Sequence, residues 1–142
     1  MNIFFDTSPI FKLYHVENDT QKIVDLVNNP DLENIFLSEI AKIEFSSIVW
    51  RKVRLNEFSE QEAKRINRRF ESDFRQYHFT QVDREIMAQA KILIEKYGHQ
   101  GLRTLDSIQL STAVSLIDEC QLFVTSDKLL HSFFQQENLP VV

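Results

Sequence analysis

Two kinds of hydrophobic pattern alternate along this chain. Short apolar runs have the length of buried strands: Ile3-Phe4-Phe5, Asn34 to Ser38 and Leu122-Phe123-Val124-Thr125, with Tyr77 to Val82 reading the same way. Between them lie longer stretches in which apolar residues return every three or four positions, the spacing of one helix face. These cover Asp19 to Val27, stopping at Asn28-Asn29-Pro30, and Glu39 to Lys52, where Ile40, Ile43, Ile48 and Val49 form a stripe widened by Phe45. Others run from Ser59 to about Arg75, from Asp83 to Tyr97 ahead of Gly98, from Leu105 to Leu116, and from about Asp127 to Gln136. Local chemistry marks several helix starts. Ser8-Pro9 suits a cap with proline at the first helical position, Ser59 and Glu62 form a Ser-x-x-Glu capping box, Asp83 caps the next helix, and Thr104 stands where a cap for the Leu105 helix would. Leu139-Pro140-Val141-Val142 fits an edge strand, where a proline that cannot donate is tolerated. Strand and helix in alternation predict an α/β protein built on a parallel sheet.

Composition narrows the chemistry. With 142 residues, 43% hydrophobic and 26% charged, and no repeat, linker or low-complexity segment, the chain reads as one domain spanning 1–142 with a full core. The two glycines, Gly98 and Gly101, cannot spell a P-loop, a dinucleotide-binding fingerprint or a Gly-x-Ser-x-Gly nucleophile elbow. Phosphate chemistry would therefore fall to side chains and metal. Cys120 is the sole cysteine, which excludes an internal disulfide, and its neighbours Leu122 and Phe123 mark it as a small buried hydrophobe. His15, His78, His99 and His131 are not spaced as zinc ligands. No basic leader precedes Asp6, and no run approaches the ~18 apolar residues of a membrane span. The expectation is a soluble, cytoplasmic protein with no membrane partner.

Among the 21 acids, those at strand ends stand out. Asp6 directly follows Ile3-Phe4-Phe5, and Asp127 follows the 122–125 strand. Ligands of open parallel sheets bind outside the carboxyl ends of strands, so if these two strands are neighbours both carboxylates reach one edge. Each has a plainer reading as well, Asp127 as a helix cap and Asp6 as a stabiliser of the turn that follows. Asp106 falls in the first turn of its helix, where a negative charge suits the macrodipole whether or not it also serves a site. Glu44, between Ile43 and Phe45, sits either at the edge of the apolar stripe or partly buried, and Glu39 is a rival for the same role.

Several segments, in this order and at these spacings, resemble the PIN-domain family, and most nearly its VapC-type toxin ribonucleases of toxin–antitoxin pairs. They are Asp6-Thr7-Ser8 after an N-terminal apolar strand, Glu44 before Phe45, Leu102-Arg103-Thr104-Leu105-Asp106 continuing to Ala113, and Val124-Thr125-Ser126-Asp127. The likeness covers essentially the whole chain, and 102–113 is its most specific part. Ser107 and Ser111 depart from it, standing where alanine is common. The resemblance implies a three-layer sandwich with a central, mainly parallel sheet flanked by helices. It further implies a metal-dependent endoribonuclease, the toxin of a type II pair, in which Asp6, Glu44, Asp106 and Asp127 hold one or two Mg²⁺ or Mn²⁺ ions. The implied partners are RNA, a small cognate antitoxin whose C-terminal segment covers the site, and a second copy in a homodimer. The residue types make chemical sense. Hard divalent cations take oxygen ligands, polarise a phosphodiester and lower the pKa of a bound water that attacks in line; the resemblance implies products with 5′-phosphate and 3′-hydroxyl ends. Ser8, Thr125 and Ser126 offer hydroxyls for ligand support or substrate contact, and equally for helix capping.

The formal net charge of −5 is low for a nucleic-acid binder, but it is unevenly spread. Residues 51–75 hold eight bases (Arg51, Lys52, Arg54, Lys64, Arg65, Arg68, Arg69, Arg75) against five acids (Glu57, Glu60, Glu62, Glu71, Asp73). Arg65, Arg68 and Arg69 stand at helical spacing and offer RNA phosphate contacts. The competing reading is a solvated helix face laced with ion pairs, Glu62 with Arg65 and Arg69 with Asp73. Ile66, Phe70 and Phe74 form a stripe that belongs to the core, or in part to a groove for a partner helix. Two other function classes compete. A haloacid-dehalogenase-like phosphotransferase also places an aspartate after its first strand, but it needs a second acid two residues on, where Ser8 stands. A non-catalytic PIN-like module that binds protein or RNA would be expected to have lost one of the four acids.

Overall fold

Strands β1 (Asn2–Phe5), β2 (Asn34–Ser38), β3 (Tyr77–Thr80) and β4 (Leu122–Val124) pair in parallel throughout, in the order β3-β2-β1-β4. The structure is a computed structural model and describes residues 1–142. Alternate strand side chains feed two cores: Ile3, Phe5, Ile35, Leu37 and Val124 face one side of the sheet, Phe4 and Phe123 the other. The first face is covered by α1 (Thr7–Phe11), α2 (Thr20–Val27), α3 (Ala41–Arg54) and α4 (Glu60–Ser72). The second is covered by α5 (Arg84–Tyr97), α6 (Thr104–Ser115) and α7 (Lys128–Gln136). Burial on both faces is why β1 reads as an unbroken apolar run. The expected three-layer α/β sandwich is the observed architecture.

The strand order creates the crevice. From β1 the chain steps to β2 and then β3 on one side, and comes back to β4 on the other, so its direction of travel reverses between β1 and β4. Such a switch point leaves a gap at the carboxyl ends of the two strands. Asp6 continues the pairing into that gap, its N–H donating to the Val124 carbonyl at 2.9 Å. Around it, aromatic packing ties α1, α3 and α4 together. Phe45 and Phe70 stack with centroids 4.0 Å apart, Tyr14 meets both edge-on, and Phe11 packs on Phe45 at 5.4 Å. The Tyr14 hydroxyl is satisfied by Asp73 and Tyr77, at 2.7 Å each.

Helix limits fall within a few residues of those expected, and Ser59, Asp83 and Asp127 act as caps. Several local readings are corrected. Asp6, not Ser8, is the N-cap of α1, with its Oδ1 accepting from the Thr7 N–H at 2.7 Å. Pro9 then falls inside the first turn, where N–H groups have no intrahelical partner and a proline is tolerated. Helix α6 begins at Thr104 itself, after Arg103, and has no side-chain cap. The capping box is half-formed: Ser59 accepts from the Glu62 N–H, while the Glu62 carboxylate turns to Arg65. The buried face of α3 is Ala41, Phe45 and Val49, and Ile43 is 75% exposed. Phe45, held by Phe70 and Tyr14, sets the rotation of the helix, and residues two apart point to opposite sides. Ile66 and Phe70 are fully in the core, and Phe74, in a short 3-10 turn, packs on Phe70 and Phe79 while staying partly exposed. The C-terminal segment makes one parallel bridge, Val141 to Phe123, with the Pro140 carbonyl accepting from Phe123. Cys120 is buried, and burial pushes its thiol up to about 12, which makes it an inert hydrophobe. No helix is long and apolar enough to cross a membrane.

Candidate active site

The switch-point crevice is a cleft of about 350 Å³, and Asp6, Glu44, Asp106 and Asp127 all line it, together with Thr7, Ser8 and Arg51. Each acid arrives on a different helix start. Asp6 and Asp127 are the N-caps of α1 and α7, while Glu44 and Asp106 lie in the first turns of α3 and α6. Helix N-termini carry partial positive charge, which helps four carboxylates to coexist. The cap and site readings of Asp127 are therefore compatible: its Oδ1 accepts from the Leu130 N–H at 2.7 Å while the residue borders the cleft. The rival Glu39 is engaged by Lys42 at 2.7 Å and does not line the cleft.

Hydrogen bonds hold the acids in place. Asp6 accepts from the Thr7 N–H on one oxygen and from the Thr125 hydroxyl on the other, at 2.9 Å. The same hydroxyl accepts from the Asp127 N–H at 3.1 Å, so Thr125 links the two strand-end acids. Glu44 Oε1 accepts from the Thr7 hydroxyl at 2.8 Å and from Gln109 Nε2 at 2.6 Å. Ser8 lines the cleft, and Ser126 lines an adjoining cavity beside Asp127, with Lys22, Lys128 and His131.

Three of the four carboxyls are pushed above the usual carboxylate range. For Asp6 the causes are burial and then the Glu44 charge, which outweigh the Thr125 and Thr7 hydrogen bonds and raise it to about 7. Burial also raises Glu44, against the bonds from Gln109 and Thr7. Asp106 is raised by burial and by Asp127, with the Arg103 guanidinium opposing. The donors are all carboxylate oxygens, the set a hard divalent cation prefers, and such a cation would relieve this crowding of charge. No three acidic, histidine or cysteine side chains converge on one point. A cation of the Mg²⁺ type does not require such convergence, because it keeps several waters and takes only one or two carboxylates directly.

Sequence reasoning passed over four residues here. Thr7 and Gln109 support Glu44. Arg51 lies two helical turns beyond Glu44 on the same face of α3, and Arg103 lies one turn ahead of Asp106. Both arginines line a hollow of about 490 Å³ that joins the cleft at Glu44 and Asp106, and neither is paired with a carboxylate. Helical spacing from the acids was the available signal. Arg65, Arg68 and Arg69 are not in the cleft lining. Arg65 pairs with Glu62, as the ion-pair reading expects. Arg69 does not pair with Asp73, which is taken by Tyr14, and instead lies over the Tyr14 ring and reaches the Tyr14 carbonyl.

A three-layer α/β sandwich with carboxylates gathered at the sheet's switch point, and no glycine loop to cradle phosphate, defines an acidic-cleft domain. The chain belongs to the PIN domain family, whose model matches residues 3–133. A search of the curated proteins by sequence finds no match. Among solved structures it is similar to FitAcB from Neisseria gonorrhoeae, with a TM-score of 0.73 and 17% identity over 98% of this chain and 95% of that one. It is similar to VapBC2 from Rickettsia felis bound to a DNA fragment from their promoter, at TM-score 0.68 and 13% identity over 100% and 98%. It is also similar to VapC20 from Mycobacterium tuberculosis, a sarcin-ricin loop cleaving toxin, at TM-score 0.68 and 13% identity over 92% and 93%.

Proposed function

We propose that this protein is a divalent-metal-dependent endoribonuclease, the toxin of a type II toxin–antitoxin pair. The observation that carries the reading is the meeting of Asp6, Glu44, Asp106 and Asp127 in one cleft at the switch point. Membership in a family whose members are generally nucleases supports it, as does similarity to a toxin that cleaves the sarcin-ricin loop and to toxin–antitoxin complexes. In this reading the four carboxylates hold Mg²⁺ or Mn²⁺, which when bound supplies a nucleophilic water at neutral pH and polarises the scissile phosphate. The chain's own residues do the rest. Thr125 and Thr7 fix Asp6, Thr7 and Gln109 fix Glu44, and the unpaired Arg51 and Arg103 bind RNA phosphates entering the cleft. Ser8 and Ser126 contact substrate at the rim. Water attacks phosphorus, the bond to the 3′-oxygen breaks, and the products carry 5′-phosphate and 3′-hydroxyl ends. The partners are RNA, a small antitoxin and a second copy of the chain.

The test is cleavage of a panel of labelled tRNAs and mRNAs by purified protein with Mg²⁺, Mn²⁺ or EDTA, beside Asp6→Asn. Cutting that needs metal and is lost in the variant is the expected result. RNA binding without cutting, indifferent to metal, would instead support a non-catalytic module.

A further inference from the structure

Gln109 is the one buried side chain with an unmet hydrogen bond. It is 0% exposed and its Oε1 has no donor, while its Nε2 donates to Glu44 Oε1 at 2.6 Å and to Thr7 Oγ1 at 3.1 Å. The Thr7 hydroxyl passes its own proton to the same Glu44 oxygen at 2.8 Å. Two donors thus converge on Oε1, and no protein donor reaches Oε2. The amide is oriented with its donor end, Nε2, facing Glu44 Oε1 and Thr7 Oγ1, which leaves its acceptor end unmet. Buried polar atoms are nearly always satisfied, and an orphan acceptor destabilises the fold. The other buried polar side chains of this stretch, Ser107, Ser111 and Thr112, each donate to a backbone carbonyl, whereas Gln109 does not. The amide therefore has a use that offsets its unmet bond, and the only groups it serves are Glu44 and Thr7.

We infer that Gln109 is a positioning residue: with Thr7 it pins Glu44 by one oxygen, fixing the side chain so that the other is presented to the cation and substrate in the cleft. This rests on the nuclease reading and deepens it. Residues that orient a ligand through hydrogen bonds are worth roughly 10–100-fold in metal affinity. A residue kept for that purpose, at a cost to the fold, separates stability from function when it is replaced.

The experiment compares wild type with Gln109→Met, which is similar in length and has no orphan acceptor. The thermal midpoint is measured in EDTA and Mn²⁺ affinity by calorimetry. The expected result is a midpoint equal to or above wild type, with Mn²⁺ affinity lower by about tenfold or more. A midpoint that falls together with affinity would make Gln109 structural and overturn the inference, and unchanged affinity would overturn it too. If Gln109→Met does not fold, Thr7→Val and Thr7→Ser decide. Affinity lost in the valine variant and kept in the serine one supports the pin, and equal affinity in both overturns it. A wild type that takes up no Mn²⁺ overturns the nuclease reading and this role with it. A wild type that binds as Gln109→Met does overturns the role alone.

Discussion

Asp6→Asn tests the electrostatics of the cleft without any substrate. Burial and the Glu44 charge raise the Asp6 carboxyl from 3.8 to about 7. The folded state therefore holds the Asp6 proton more tightly than the unfolded chain does. The stabilisation this brings is full below 3.8 and is lost as pH rises through about 7. At pH 8, where the group is ionised, the loss amounts to about 4 kcal/mol, of which about 2–3 kcal/mol develops between pH 5 and pH 8. Asparagine is neutral throughout. Its Oδ1 can keep the Thr7 N–H bond, but its Nδ2 cannot accept from the Thr125 hydroxyl, a loss of about 1 kcal/mol that does not vary with pH. In EDTA, the stability of the variant minus that of wild type should therefore rise by about 2–3 kcal/mol from pH 5 to pH 8, roughly 5–10 °C in Tm for a chain of this size. Circular-dichroism melts of both proteins at the two pH values measure it. Saturating Mn²⁺ at pH 8 should reverse the order, since a ligand bound only by folded wild type stabilises it. A difference that stays flat with pH, or an asparagine variant less stable than wild type at pH 8, would refute the assignment of burial and repulsion as the governing terms.

Two further outcomes follow from the geometry. In an Asp6→Asn background that does not cut, Arg51→Ala and Arg103→Ala should each weaken RNA binding and lower the slope of log K against log salt by about 0.7, while Arg65→Ala leaves both unchanged. Filter binding over a salt series checks this, and an equal effect from Arg65 would move the RNA path onto α4. Phe45→Ala should destabilise the fold by about 3–5 kcal/mol in a denaturant melt, because it empties the stack on Phe70 at the centre of the first core.

Much of this protein is written in local pattern. Alternating apolar runs and amphipathic stretches carry the α/β class, because a strand buried on both faces and a helix buried on one have different periods. The caps Ser59, Asp83 and Asp127 are legible because a side-chain oxygen satisfies an N–H only a few residues away. Asp6 and Asp127 as strand-end acids, and Asp106 and Glu44 as companions, could be singled out from position and family resemblance. What sequence left open was whatever depends on distance in space. Glu44 and Glu39 are close rivals by pattern, and only the fold separates them: the rotation of α3 under Phe45 turns Glu44 into the cleft, while Glu39, in the turn before the helix, pairs with Lys42. Ile43 looks like core and is exposed for the same reason. The arginines of α4 form the denser basic cluster, yet Arg65 is spent on a neighbouring acid and Arg69 on Tyr14, while Arg51 and Arg103 meet at the cleft from segments far apart in the chain. Gln109 lies within the most family-like segment, but its role is not legible there, since a buried amide gains one only when the tertiary fold sets a carboxylate 2.6 Å from it. Local sequence determines which elements form, because hydrogen bonds and periodicity act over a few residues. The packing of helices across the sheet decides which polar groups lose water together, and with that loss their charges and their chemistry are set.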